Sequence, residues 1–137
     1  MTCFDTRAEW LAKLPDHSKL EKRCIDPLCD AVADQPANTF FVLMTKGHAT
    51  DLPILAKILT TRDAPYVGVI GSPQKASVLR RDLAAQNIAA EKINSFFCPM
   101  GVPLGNNTPA EISISVVTQL IQQRDELGIL KHKVKDF

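Results

Sequence analysis

Tyr66-Val67-Gly68-Val69-Ile70-Gly71-Ser72-Pro73 is the stretch that decides the fold. Tyr66 to Ile70 is apolar without alternation, the pattern of a strand covered on both faces. Gly71-Ser72 ends it. Ser72-Pro73 then reads as a helix N-cap followed by proline at the first helical position. That helix runs to about Asn87, with Val78, Leu79 and Leu83 on one face. A buried strand thus passes into a helix through a turn of two residues. The same arrangement precedes it. Thr39-Phe40-Phe41-Val42-Leu43-Met44-Thr45 is a second continuous apolar run, also expected to be covered on both faces. A helix over 51–61 follows, with Asp51 as its cap and an apolar stripe of Leu52, Leu55, Ile58 and Leu59.

Further out, the alternation continues. Met1 to Phe4 is an apolar run ending at Asp5, and Arg7 to Leu14 has helical spacing stopped by Pro15. Lys22 to Ile25 reads as a short strand closed by Asp26-Pro27, and Leu28 to Ala33 as a helical turn. Downstream come a short helix over 88–93, the apolar Phe96-Phe97-Cys98, and a loop rich in Gly, Pro and Asn over 99–107. Thr108-Pro109-Ala110-Glu111 is a capping box with proline at N1. Its helix carries Ile112, Val116, Leu120 and Ile121 and stops at Gly128. Strand and helix in alternation predict an α/β domain with a mostly parallel sheet and helices on both faces. The expectation is one domain over 1–137, with 128–137 as a solvated basic end rather than an anion-binding arm.

Composition narrows the function. The 137 residues fit one domain at roughly 100–200 residues each. With 45% hydrophobic and 23% charged residues the chain is ordinary globular protein. Sixteen Lys plus Arg against fifteen Asp plus Glu leave +1, so no nucleic-acid partner is expected. No run reaches the ~18 apolar residues of a membrane span, and the N-terminus has no signal-peptide pattern. The four cysteines, Cys3, Cys24, Cys29 and Cys98, form no CxxC pair and read as reduced thiols in a cytoplasmic protein.

In parallel sheets ligands bind outside the carboxyl ends of the strands. Three segments occupy that edge: Thr45 to Asp51, Gly71 to Lys75, and Gly101 to Thr108. The first offers Lys46 as an anion contact and His48, held by Asp51, as a hydrogen-bonding or proton-transfer group. The second offers Ser72, backbone N–H groups at a helix start, and Lys75. Each also has a plainer reading as an ordinary cap. The six glycines show neither GxGxxG nor GxxxxGK spacing, so NAD is not expected. His17, His48, His132 and the cysteines have no metal-ligand spacing. The spacing of Cys98 and His48 does not support a nucleophile and base, so no catalytic residue is assigned.

Three segments together resemble a known family: Phe41 to Asp51, Tyr66 to Lys75, and Cys98-Pro99-Met100-Gly101-Val102-Pro103-Leu104-Gly105-Asn106-Asn107-Thr108-Pro109-Ala110-Glu111-Ile112-Ser113-Ile114-Ser115. Their order and spacing resemble the C-terminal Rossmann-like domain of the xanthine dehydrogenase accessory proteins, the XdhC/CoxI family. That domain carries a T-R/K-G-H-x-x-D loop, a Y-I/V-G-x-I/L-G-S-x-x-K turn, and a P-I/V-G-x-x-I/L-G-x-x-T/S-P-x-E-I segment. The likeness runs from about Asp5 to Leu127.

The resemblance implies a non-enzymatic maturation factor. It would carry the molybdenum cofactor as cargo and meet a molybdenum hydroxylase apoenzyme or a cofactor-sulfurating enzyme. It marks Thr45, Lys46, Gly47, His48, Asp51, Gly71, Ser72, Lys75, Gly101, Gly105, Thr108, Pro109 and Glu111 as the ligand edge. We assign Lys46 and Lys75 to phosphate or the oxo-metal end, and Ser72 with its neighbouring N–H groups to phosphate. Two positions depart from the family. Met1 to Arg7 aligns with the family's second strand, which leaves the first βα unit and its glycine turn unmatched. Pro73-Gln74 stands where the family often has two arginines. An unmatched first strand predicts a bare apolar sheet edge, covered by a second copy or a separate chain. The alternatives are a Rossmann-like nucleotide-binding or oxidoreductase module, and a protein-interaction domain without ligand.

Overall fold

The computed structural model describes residues 1–128. Its elements run β1 (Thr2–Asp5), α1 (Ala8–Leu11), β2 (Glu21–Cys24), a 3-10 turn (Leu28–Ala31), β3 (Phe40–Leu43), α2 (His48–Thr61), β4 (Tyr66–Val69), α3 (Pro73–Ala85), α4 (Ala90–Ile93) and α5 (Pro109–Glu126). The α/β class is as expected: β1 pairs parallel to β2, and β3 parallel to β4. Phe97 adds a further parallel bridge beside Gly68 on the other edge of β4. The Phe97 N–H donates to the Val67 carbonyl at 2.9 Å, and the Val69 N–H donates to the Phe97 carbonyl at 2.8 Å. Residues 129–137, most of the expected basic end, lie outside the described residues.

The core forms where the apolar runs predict it. Val69, Leu55, Ile58, Leu79 and Leu83 have no exposed surface at all, and with Leu43, Val67, Ile93 and Phe96 they make one cluster. Burying a side chain of this size contributes about 1.5–3 kcal/mol. Odd-numbered residues of β3 and β4 meet α2 and α3 in that cluster. Even-numbered residues face the opposite side, where Phe40, Tyr66 and Phe97 stack with ring centroids 5.5 and 5.2 Å apart. There α5 is attached by the Tyr66 hydroxyl, which donates to Gln119 Oε1 at 2.6 Å.

Three expectations need correction. The helix predicted over Arg7 to Leu14 is a single turn, Ala8–Leu11, with only Leu11 buried and Trp10 half exposed. One apolar stripe over so few residues does not pay the cost of nucleation along its whole length. β4 is buried at every position, but β3 is not: Val42 is 38% exposed, so the even-numbered face of β3 is only partly covered. The helix placed at 51–61 begins three residues earlier, at His48, with Gly47 as its N-cap. Asp51 therefore sits inside the first turn and caps nothing.

Candidate functional site

Two helix starts lie side by side at the carboxyl ends of β3 and β4. Gly47 caps α2 in an extended conformation without a side-chain contribution. The Thr50 and Asp51 N–H groups both donate to its carbonyl, leaving those of His48 and Ala49 at the open end. Ser72 caps α3, its Oγ accepting from the Lys75 N–H at 3.2 Å. Pro73 has no N–H to satisfy, as expected for proline at N1.

A buried ion pair joins the two starts. The Asp51 carboxylate is fully buried and accepts from Lys75 Nζ at 2.5 Å and from Thr45 Oγ1 at 2.6 Å. Lys75 Nζ also donates to the Ile70 carbonyl at 2.8 Å. This revises the sequence assignment: Lys75 is committed to internal partners and is not a free anion contact. Nor does Asp51 hold His48. His48 Nε2 pairs with Asp82 on α3 at 2.8 Å, while its Nδ1 is buried without a partner. Asp82 also takes Arg81, and these contacts, Arg81 foremost, hold its carboxyl below the usual carboxylate range. Lys46 is exposed and makes no hydrogen bond or ion pair among the described residues, so it is the cation of the predicted set left for a ligand.

Close packing keeps the edge narrow at Gly71. A Cβ there would sit 2.6 Å from Lys75 Cδ and 3.3 Å from Cys98 Sγ. Cys98 thus closes the same edge from the far side. Burial pushes its thiol up, and Lys75 and Arg80 pull the other way. It is a free, partly buried cysteine and serves as a packing thiol in this arrangement.

The third predicted segment is built differently. The Met100 N–H donates to the Val69 carbonyl, which brings the loop to the end of β4. Gly101 has φ +102°, and a Cβ there would overlap Ser115 Oγ. Its N–H donates to Gln119 Oε1 at 2.8 Å, and Gln119 Nε2 returns a bond to its carbonyl. Gly105, with φ +72°, turns the loop over the Glu111 carboxyl. Glu111 accepts from the N–H groups of Asn106 and Thr108 and from Thr108 Oγ1, which holds its carboxyl low. The capping box at Thr108 and Pro109 is formed as predicted. Among the described residues no hydrogen bond joins Gly105, Thr108, Pro109 or Glu111 to the Thr45–Asp51 or Gly71–Lys75 groups.

A half-open cavity of about 250 Å³ lies elsewhere, at the ends of β1 and β2, lined by Phe4, Cys24, Ile25 and Asp30 among others. Beside it, Asp5 is occupied by Arg7, whose backbone N–H, Nε and second guanidinium nitrogen donate to it at 2.9 to 3.1 Å. The residues that sequence reasoning missed are Asp82, Ser115, Gln119 and the Tyr66 hydroxyl. Each is a polar group facing inward on an otherwise ordinary helix or strand, with a partner at least ten residues away and no local signal to reveal it. Among the described residues no cluster of metal-ligating side chains occurs, and no helix is long and apolar enough to cross a membrane.

Comparison with known proteins agrees with the α/β fold. The chain is 28% identical over 111 residues to the uncharacterized protein YqeB of Escherichia coli (strain K12), a match covering 81% of this chain and 20% of that protein. The chain therefore spans about a fifth of the length of this relative. The family described as the XdhC Rossmann domain matches residues 1–120. With that match over most of its length, the chain belongs to the XdhC Rossmann-domain family.

Proposed function

We propose that this chain is a non-catalytic accessory domain that holds the molybdenum cofactor as cargo for a molybdenum hydroxylase. The supporting observation is the pair of helix starts locked together by Asp51 and Lys75, with Lys46 exposed next to the α2 start and without a partner among the described residues. Backbone N–H groups at two adjacent helix N-termini favour an anion, and a pterin cofactor carries a phosphate. In this reading His48 and Ala49 donate backbone N–H bonds and Lys46 supplies the charge. Asp51, Thr45 and Lys75 fix the spacing of the two helices. The 137 residues given carry no glycine fingerprint of a dinucleotide site, so NAD serves as the comparison ligand rather than the proposed cargo. The protein acts in the cytoplasm, where it meets the apoenzyme or the cofactor-sulfurating enzyme.

The test is retention of cofactor. The purified chain is mixed with cofactor released from a molybdoenzyme, desalted, and assayed for bound pterin by fluorescence of its oxidised form, with NAD as comparison ligand. Near-stoichiometric pterin and no NAD is expected. Lys46→Ala should weaken retention roughly tenfold, the loss of one charge-assisted hydrogen bond. A folded chain that retains no pterin would overturn the reading.

A further inference from the structure

The first residue of α2 carries a tie to α3 that no motif announces. His48 Nε2 lies 2.8 Å from Asp82 Oδ2, and Asp82 Oδ1 is taken by Arg81. The two side chains are mostly covered, at 34% and 27% exposure. Arg81 first, and then His48, hold the Asp82 carboxyl in its ionised form. A carboxylate only accepts hydrogen bonds, so the ring nitrogen facing it carries the hydrogen. That assigns the tautomer: Nε2 is protonated and Nδ1 is the free lone pair. Nδ1 is buried and has no partner among the described residues. A further proton can therefore enter the ring only at Nδ1.

That proton changes the charge at the candidate site itself. His48 supplies both the imidazole and one of the two open backbone N–H groups at the α2 start. The ring is only a few bonds from that N–H. The neighbouring charges are arranged around it. On α3, Lys75 is paired with Asp51, and Arg81 shares Asp82 with the ring. Before α2, Lys46 stands exposed. Across the edge, the Cys98 thiol is pushed up by burial. α2 also packs on the 3-10 turn and on α4. The ion pairs there are Asp30 with Lys57 and Lys92 with Asp63. Lys57 is about 13 Å along the helix from His48, and Asp63 lies beyond the helix end. Imidazole is the side chain that changes charge between pH 5 and 8 as a class, and His48 is the one imidazole at this edge.

We propose that His48 is a proton-linked switch for this site: a proton on Nδ1 strengthens anion binding at the α2 start, and a bound anion draws that proton on. The inference deepens the cofactor reading and rests on its anion at the His48 and Ala49 N–H groups. Asp82 is the positioning residue. It holds the ring at the α2 start, so the new charge appears at the site. In the empty protein two effects oppose the proton. It puts a cation at the positive end of a helix, and it makes Nδ1–H a buried donor without an acceptor. An anion at the same helix start offsets the first effect and raises the ring's affinity for the proton. Reciprocity then requires acid to raise affinity for the anion by the same factor. Cargo is held more tightly in mild acid and released more readily as pH rises.

The probe is sulfate, whose own charge is constant between pH 5.5 and pH 8. It is titrated into the full isotope-labelled chain at fixed ionic strength, and the amide shifts of His48 and Ala49 report binding. Binding at pH 5.5 should be about fivefold tighter than at pH 8, the lower end of ordinary coupling between two sites. His48→Gln keeps a donor toward Asp82 but takes no proton, so its two affinities should agree. The Cε1–H resonance of His48 gives the reciprocal measurement on the unaltered chain, whatever the variant's folding. Sulfate should raise its titration midpoint by about 0.7 pH unit, the same fivefold factor seen from the proton's side. His17, whose Nδ1 accepts from the Lys19 N–H, is the internal control and should not respond. Asp82→Asn keeps an acceptor and removes the charge, so the His48 midpoint should fall. A merely structural Asp82 would leave that midpoint in place.

Any of four outcomes overturns the proposal: no sulfate response at His48 and Ala49, equal affinity at the two pH values, the same pH response in His48→Gln, or a His48 midpoint that ignores sulfate. The cofactor reading fails separately. Pterin retained beside pH-independent sulfate binding would overturn the switch alone. Proton-linked sulfate binding with no pterin retained would overturn the cargo alone and leave the switch standing.

Discussion

Two loops enter helices with nearly the same local signal and use their charged groups in opposite ways. Ser72-Pro73 opens α3 and Thr108-Pro109 opens α5, each with a hydroxyl accepting from the N3 backbone N–H. At α5 the ionisable side chain, Glu111, turns back on its own loop and serves only residues 106 to 108. At α3 the ionisable side chain, Lys75, crosses to Asp51 on the neighbouring helix. A cap that closes on itself stabilises one helix end. A charge exchanged between two helix ends fixes their spacing, which is what a ligand edge needs. The difference separates a structural loop from a candidate binding one, though the sequence marks both alike.

The largest effect should come from breaking the crossed pair. Asp51→Ala leaves the Lys75 ammonium with only the Ile70 carbonyl and Thr45 without its closer acceptor. Removing one partner of a buried pair costs about 3–5 kcal/mol. For a domain of this size that is roughly a 10–20 °C fall in Tm. Asp51→Leu combined with Lys75→Met should recover most of the loss, since a well-packed apolar pair avoids both desolvation penalties. Thermal unfolding of the three proteins checks this. Equal Tm for Asp51→Ala and the parent would mean the two helix starts are not locked together.

A middle effect is expected at Gln119, which joins α5 to the rest of the molecule. Gln119→Leu strands the Tyr66 hydroxyl and both backbone groups of Gly101, at about 2 kcal/mol. Tyr66→Phe removes one bond and should cost about 1 kcal/mol. The phenol also carries a pH signature. Burial pushes Tyr66 up to about 12, above its ordinary value near 10. A raised value means the folded state keeps its proton longer. Stability from this group is therefore complete below pH ~10 and is lost as pH rises toward 12. Denaturant unfolding across that range should show a decline that Tyr66→Phe flattens.

These polar anchors mark the limit of what the sequence discloses. The strands, their parallel sense, the core of α2, β4 and α3, and both proline caps follow from apolar runs and local capping chemistry. The family motifs also named Thr45, Lys46, His48, Asp51 and Lys75, which lie just after β3 and β4 in the structure. Their pairing was not legible. Asp51 stands three residues after His48, and short spacing suggested a contact. In the helix that begins at His48 the imidazole instead reaches Asp82, 34 residues on. Gln119 was invisible for the same reason: an amide in a helix reads as solvated until tertiary packing turns it inward. The half-covered face of β3 was misread because continuous apolarity reports what a strand can bury, not whether a neighbour is present to bury it.

The smallest effect should be the self-contained cap. Thr108→Ala removes the hydroxyl that accepts from the Glu111 N–H and donates to its carboxylate, a loss of about 1 kcal/mol. Because Glu111 bonds only within its loop, the change should fray the first turn of α5 and leave the α2 and α3 starts as they were. Amide exchange should rise at Ala110 to Ile112 and stay constant at His48, Ala49 and Gln74. Acid provides the same test without mutation. The bonds from Thr108 and the loop N–H groups hold the Glu111 carboxyl below its usual range, so its contribution is present at neutral pH and is lost as pH falls through that lowered value. Asp82 is lowered too, by Arg81 and then His48, and would loosen α3 from α2 in the same direction. Thr108→Ala should therefore blunt the acid response at α5 alone. If it also blunts the response at His48, the two loops communicate and the contrast between a closed cap and a crossed pair fails.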